Sequence, residues 1–144
     1  MKKVLLLSIL FLFTINVNAQ SNPEDLIKAF FINFPKNSNK AIDEIYNASG
    51  YKSSMTEAIE NMKKIAENYP NTLGNYYGYE MITQKKCTDN FVLYSYFVKY
   101  DRQPMKFTFE FYKPNDKWRL YSLNFEANID EDVEQAAKNY DQKN

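Results

Sequence analysis

Chemistry in this chain has to come from carboxylates, phenols and guanidinium groups, because its 144 residues include no histidine and one cysteine, Cys87. Histidine is the commonest general base near neutral pH and the commonest transition-metal ligand. A lone cysteine can neither close a disulfide within the chain nor build a thiolate zinc site. Glycine is scarce, and neither GxGxxG nor GxxxxGKS/T occurs, so no glycine-rich loop cradles a phosphate. Dehydrogenase, kinase and zinc-hydrolase chemistry are poorly served. No metal and no cofactor is expected.

Glu80 is the candidate for acid–base work. It lies in Tyr77-Gly78-Tyr79-Glu80-Met81, and a carboxylate buried among aromatics has a raised pKa suited to abstracting a proton. Strand alternation argues against that placement: if Tyr79 and Met81 face inward, Glu80 faces water, and burying an unpaired charge is costly. The chain is therefore read as leaning away from an enzyme. Twelve tyrosines and 11 phenylalanines offer the other chemistry. A phenol joins a large apolar face to a polar tip, which suits half-wet pockets and interfaces as well as sheet surfaces.

The elements that position these groups follow from hydrophobic spacing. Asn22-Pro23-Glu24-Asp25 is a helix start, with a capping amide, proline in the first turn and acids at the positive end of the dipole. Leu26, Ile27, Phe30, Phe31 and Phe34 recur at helical spacing until Pro35. Ser38 is expected to cap a second helix that buries Ala41, Ile42, Ile45 and Tyr46. A third is expected over 54–69, with Met55, Ala58, Ile59, Met62, Ile65, Ala66 and Tyr69 on one stripe and Pro70 ending it. Beyond Gly74 the period changes to two. Strands are expected over 76–86, 91–101, 104–113 and 117–127, joined by short turns that make neighbouring strands antiparallel. A final helix is expected over 130–140.

Register follows from the turns. Met105, Phe107, Phe109 and Phe111 alternate with polar or larger amphipathic residues and must face the core. Pairing Tyr100 with Met105 puts Val98, Tyr96 and Tyr94 on the same side. Pairing Lys113 with Lys117 adds Arg119, Tyr121, Leu123 and Phe125. Tyr94, Tyr96, Tyr100, Arg119 and Tyr121 are thus the expected ligand-binding set, with Arg119 able to hold a carboxylate or sulfate. Leu93, Phe97, Tyr112, Trp118 and Leu120 fall on the outer face as an apolar patch, and form the expected interface of a homodimer. Lys99, Arg102, Lys106, Lys113, Lys117 and Arg119 are dense along the last three strands. They are expected to be a solvated face that discourages edge aggregation.

Helices followed by a long antiparallel meander is the order of a curved sheet wrapped on a helix, and it resembles the cystatin-like cone of the nuclear transport factor 2-like superfamily. The segments Tyr77–Ile82, Tyr96–Pro104 and Phe107–Pro114, with Trp118, are similar to those of small exported proteins of Bacteroidetes. The resemblance covers about residues 23 to 127. It implies an α+β fold with N-terminal helices packed on a curved four-stranded antiparallel meander sheet. Enzymes of that superfamily place an acid, a tyrosine or a histidine inside the cone. This chain departs from them by having no histidine, so activity does not carry over with the fold.

The first residues give a location. Lys2 and Lys3 precede an apolar run from Val4 to Ile15, and Val17-Asn18-Ala19 matches a signal-peptidase site. The run is shorter than the ~20 residues of a membrane-spanning helix. Residues 1–19 are expected to be a cleaved signal peptide and 20–144 a single exported domain, periplasmic or extracellular, with no stable membrane anchor after cleavage. The whole chain carries 18 basic and 18 acidic residues, and loss of Lys2 and Lys3 tips the balance slightly acidic. Nucleic acid is not the expected partner. The reading that results is an exported non-catalytic binding or interaction domain for an unknown small molecule or protein. Two alternatives stand beside it: a pocket isomerase or cyclase-like lyase built on an inward carboxylate and tyrosines, and a periplasmic accessory subunit that assembles through its sheet.

Overall fold

In the computed structural model, which describes residues 22–141, Asn22 is extended and caps helix α1 (Pro23–Asn33) by accepting the Glu24 amide. The leader at 1–19 lies outside the described residues. Pro23 occupies the first turn, where a missing N–H costs nothing, and Glu24 and Asp25 sit at the positive end of the helix. The second helix, α2 (Ser38–Tyr46), is capped by Asn37 rather than Ser38. Asn37 is extended, and its side-chain oxygen accepts the Lys40 N–H at 2.8 Å. Ala41, Ile42, Ile45 and Tyr46 are all buried, as their spacing requires.

The helix expected over 54–69 is α3 (Thr56–Glu67), flanked by a 3-10 turn at Lys52–Ser54 and by the one-turn α4 (Tyr69–Thr72). Pro70 opens α4 instead of ending α3, because a proline in a first turn forfeits no helical bond. The buried stripe is narrower than expected. Ile59, Ala66 and Tyr69 are buried, whereas Ile65 is 57 % exposed.

Four strands follow, β1 (Tyr76–Thr88), β2 (Phe91–Tyr100), β3 (Met105–Tyr112) and β4 (Arg119–Glu126), and helix α5 (Asp130–Asp141) comes last. Every neighbour is antiparallel, in the order β1-β2-β3-β4. The fold is α+β: N-terminal helices packed on a curved four-stranded antiparallel meander. Among the described residues no helix is long and apolar enough to cross a membrane.

Alternation places Met105, Phe107, Phe109 and Phe111 inside, opposite Val98, Tyr96, Tyr94 and Val92 in turn. Helix α1 lays its aromatic face on them. Phe30 meets Phe109 edge-to-face at 5.2 Å, Phe31 meets Tyr96 at 5.1 Å and Phe34 meets Phe107 at 5.3 Å between ring centroids. Each buried ring contributes roughly 1.5–3 kcal/mol through apolar burial, and edge-to-face pairs add about 0.5–1.5 kcal/mol. Met105 pairs with Val98 rather than Tyr100. That shift of two residues lengthens the turn and leaves every face unchanged.

The last hairpin departs from expectation. Glu110 pairs with Ser122 but Phe111 pairs with Leu120, so Tyr121 is the extra residue of a bulge. A bulge reverses alternation on one side of it. Leu123 and Phe125 therefore face the core as expected, whereas Leu120, expected outside, is 1 % exposed, and Tyr121, expected inside, is 56 % exposed. Trp118 also turns to the core side and packs against the buried cluster, with the Lys113 ammonium 5.1 Å from its ring centre.

Candidate functional site

One pocket of about 540 Å³ opens where β1 begins and β2 ends. Its walls come from the α1–α2 turn, from the end of α3 with α4, and from the strand residues Tyr76 and Tyr100. The size lies within the range usual for small-molecule sites, about 300–1,000 Å³. Three phenols line it. The Tyr100 ring stands 5.9 Å from Tyr69 and 5.8 Å from Tyr76, both edge-on.

None of these three hydroxyls has a protein hydrogen-bond partner among the described residues. The side-chain polar atom there that is sealed from solvent without a partner is Asn39 Oδ1. All three residues line the pocket, and Tyr69 does so while only 7 % exposed. Burial pushes the Tyr69 and Tyr76 phenols up to about 12, and Tyr100 is raised by burial and then by its two phenol neighbours. All three remain neutral at physiological pH, able to donate and to accept.

Charge around the pocket is balanced. Lys36 and Glu67 both line it. Asn39, in the first turn of α2, donates through Nδ2 to Glu67 Oε1, so the positive end of α2 already faces a carboxylate. The rim is held by the β2–β3 turn. Asp101 accepts the Asn75 amide at 2.6 Å and the Tyr77 hydroxyl at 2.6 Å. The Asp101 amide donates to Asn75, that of Arg102 to Leu73, and the Arg102 guanidinium to the Asn71 carbonyl. Asp101 is lowered first by the Tyr77 hydrogen bond and then by the Asn75 amide, so this clamp is ionised at neutral pH.

Of the expected ligand-binding set, only Tyr100 lines this pocket. Tyr94 is 3 % exposed in the core, its hydroxyl receiving Gln84 at 3.2 Å and reaching Glu24 at 3.5 Å. Tyr96 is buried against Phe31, Tyr79 and Phe109. Arg119 lies over Gly50 at the α2–α3 turn, where a Cβ on the glycine would stand 2.7 Å from its Nη1. Tyr121 sits on the bulge beside Phe91. Tyr69, Tyr76, Asn39 and Glu67 were not singled out from sequence as site residues. In the sequence Tyr69 falls on a helix stripe, and the turn at Pro70 and Gly74 is the local sign that helix and strand ends converge here.

Glu80 points outward, as alternation required, and pairs with Lys99 at 2.6 Å. Cys87 is exposed near the end of β1, an edge strand. The basic residues do not form one patch. Lys99 pairs with Glu80, Lys106 pairs with Glu126 at 2.7 Å, Arg102 holds the Asn71 carbonyl and Lys113 covers Trp118. Among the described residues, no three His, Cys, Asp or Glu side chains are grouped to hold a metal ion.

The outer sheet face is more polar than expected. With Leu120 and Trp118 on the core side, Leu93 and Phe97 remain half-buried and Tyr112 exposed. Between Leu93 and Phe97 lies Ser95, which is buried and shares a 3.2 Å hydrogen bond with buried Thr108. The apolar patch is interrupted at its centre.

Comparison with protein-family models and with curated proteins finds no match for this chain. The fold and the pocket define it as an α+β domain with a tyrosine-lined recess.

Proposed function

We propose that this chain is an exported, non-catalytic binding domain and that the tyrosine-lined pocket holds its small-molecule ligand. The observation that carries the reading is the convergence of three neutral, unpartnered phenols on one recess of about 540 Å³. Folded proteins pair their buried polar groups, so a cluster left open to a cavity is a cluster available to a ligand. Export follows from the basic start, apolar run and Val17-Asn18-Ala19 site of the leader. The order of helices and meander supports kinship with nuclear transport factor 2-like cones.

The pocket-enzyme alternative needs a carboxylate and a phenol facing a substrate in one cavity. Among the described residues Glu24 and Tyr94 form a carboxylate–phenol pair at 3.5 Å and Asp101 and Tyr77 another at 2.6 Å on the rim, and none of the four lines the pocket. Glu67 does line it, but its carboxylate is engaged by Asn39 at the solvent-facing end of α3. Binding without turnover is the better fit to this arrangement.

A screen of small neutral, acidic and basic metabolites by amide NMR on the mature protein tests the reading. Binders should shift the amides of 36–39, 67–76 and 100. Ser38→Trp, which fills the mouth from the first turn of α2, should abolish those shifts in a protein with an unchanged fold. Binders that map elsewhere, or a screen with no binder at all, would overturn it.

A further inference from the structure

We propose that the ligand of this pocket is an uncharged saccharide. The inference rests on the pocket being the binding site and adds the chemical class of what fills it. Tyr69, which lines the recess at 7 % exposure and whose hydroxyl has no protein hydrogen-bond partner among the described residues, is the anchoring observation.

An anion is a poor fit. The positive end of α2 and the Asn39 amide are already answered by the Glu67 carboxylate, which would repel a second negative group. A cation is also a poor fit, because Lys36 lines the same recess and the phenols carry no charge near neutral pH. The recess therefore favours a neutral guest.

The polar lining then asks for hydroxyls. A protonated phenol both donates and accepts, and three of them spaced around one recess are matched by a ring whose successive hydroxyls do the same. A purely apolar guest would strip water from the phenols it covers and give their hydroxyls no partner in return. The remaining walls, Phe34, Pro35, Ala66 and Pro70, are apolar and can take the C–H face of a sugar ring. The clamp from Asp101 to Asn75 and Tyr77 holds the Tyr76 and Tyr100 strand ends in place before any ligand arrives, so little ordering cost is left for binding.

The test is an amide NMR titration of the mature protein with cellobiose, maltose, mannobiose and N,N′-diacetylchitobiose. Citrate, spermidine and benzamide serve as anionic, cationic and neutral non-sugar probes. The expected result is saturable shifts at 36–39, 67–76 and 100 with at least one disaccharide. Tyr76→Phe and Tyr100→Phe should each weaken it about tenfold, the loss of one good hydrogen bond. Ser38→Trp should abolish it. If the sugars leave those amides unmoved while another probe shifts them, the saccharide claim is overturned and the pocket remains a binding site. If no probe moves them, both readings fall. Binding that both phenylalanine variants leave unchanged also overturns the claim, since the hydroxyls would then not be recognising the guest.

Discussion

The carboxylate of Asp101 occupies the space in which a side chain on residue 74 would lie: a Cβ on Gly74 would stand 2.5 Å from Asp101 Oδ2. Gly74 also has φ of +86°, which L side chains rarely adopt. The two facts are linked. The backbone turns through a left-handed residue to aim the Asn75 amide at Asp101, and the absence of a side chain lets the carboxylate come close enough to accept it at 2.6 Å. This joint ties the start of β1 to the end of β2, and so fixes the distance between Tyr76 and Tyr100.

Gly74→Ala should therefore destabilise the protein by at least about 1–2 kcal/mol from backbone conformation alone, with the clash adding to it. Asp101→Ala removes the acceptor without the clash, and should leave the global fold while the Asn75 amide exchanges faster with solvent. Chemical denaturation and amide hydrogen exchange measure the two effects. An Asn75 amide equally protected in Asp101→Ala would show that the joint is held by something else.

Alkaline pH should destabilise the chain through its pocket and core phenols. Burial raises Tyr69, Tyr76 and Tyr96 to about 12 and raises Tyr100 as well, against about 10 for a free phenol. A folded-state pKa above the unfolded value means that the unfolded chain loses these protons first. The contribution of these groups is complete below about pH 10 and falls as pH rises through about 12. Tyrosinate absorbance should show a late-titrating group of phenols, and stability should decline over the same interval. Replacing Tyr69 and Tyr100 together by phenylalanine should flatten that decline. A titration in which all tyrosines ionise together near pH 10 in the folded protein would contradict the burial.

The pocket hydroxyls have no protein partner among the described residues, and the consequence is measurable. Tyr69→Phe, Tyr76→Phe and Tyr100→Phe each remove an oxygen with no protein partner, so each should change stability by less than about 0.5 kcal/mol. A hydroxyl that closed a buried hydrogen bond would cost about 1 kcal/mol or more on removal. Equilibrium denaturation of the three variants at neutral pH separates these outcomes.

Much of the fold was legible because it rests on strong periodicities. Phe107, Phe109 and Phe111 alternate with Thr108 and Glu110, and that pattern alone gives β3 its inner face; Pro23 and the acids after it give α1 its start. The pocket was less legible. Tyr69, in a one-turn helix, and Tyr76, at the start of β1, are seven residues apart, but Tyr100 joins them only through the long-range pairing of β2 with β1. Tyr100 lies on the inner face that alternation predicts, whereas Asn39 and Glu67 have the pattern of ordinary polar residues on amphipathic helices. Unbroken alternation would also place Tyr121 in the binding set, and the bulge at that residue turns it outward.

That bulge is the most direct check on the sheet. Strict alternation from Phe125 back to Arg119 places Tyr121 inside and Leu120 outside, whereas one extra residue opposite Glu110 and Phe111 reverses the pair. Leu120 is 1 % exposed in the core, and its amide donates to the Ala48 carbonyl, tying β4 to the α2–α3 turn. Leu120→Ala should cost about 2–5 kcal/mol by lost burial and the cavity left behind. Tyr121→Ala removes a much larger side chain but one that is 56 % exposed beside Phe91, and it should cost under about 1 kcal/mol. Denaturant titration of the two variants decides it. If Tyr121→Ala were the more damaging, β4 would alternate without a bulge and the inward face would run through Arg119.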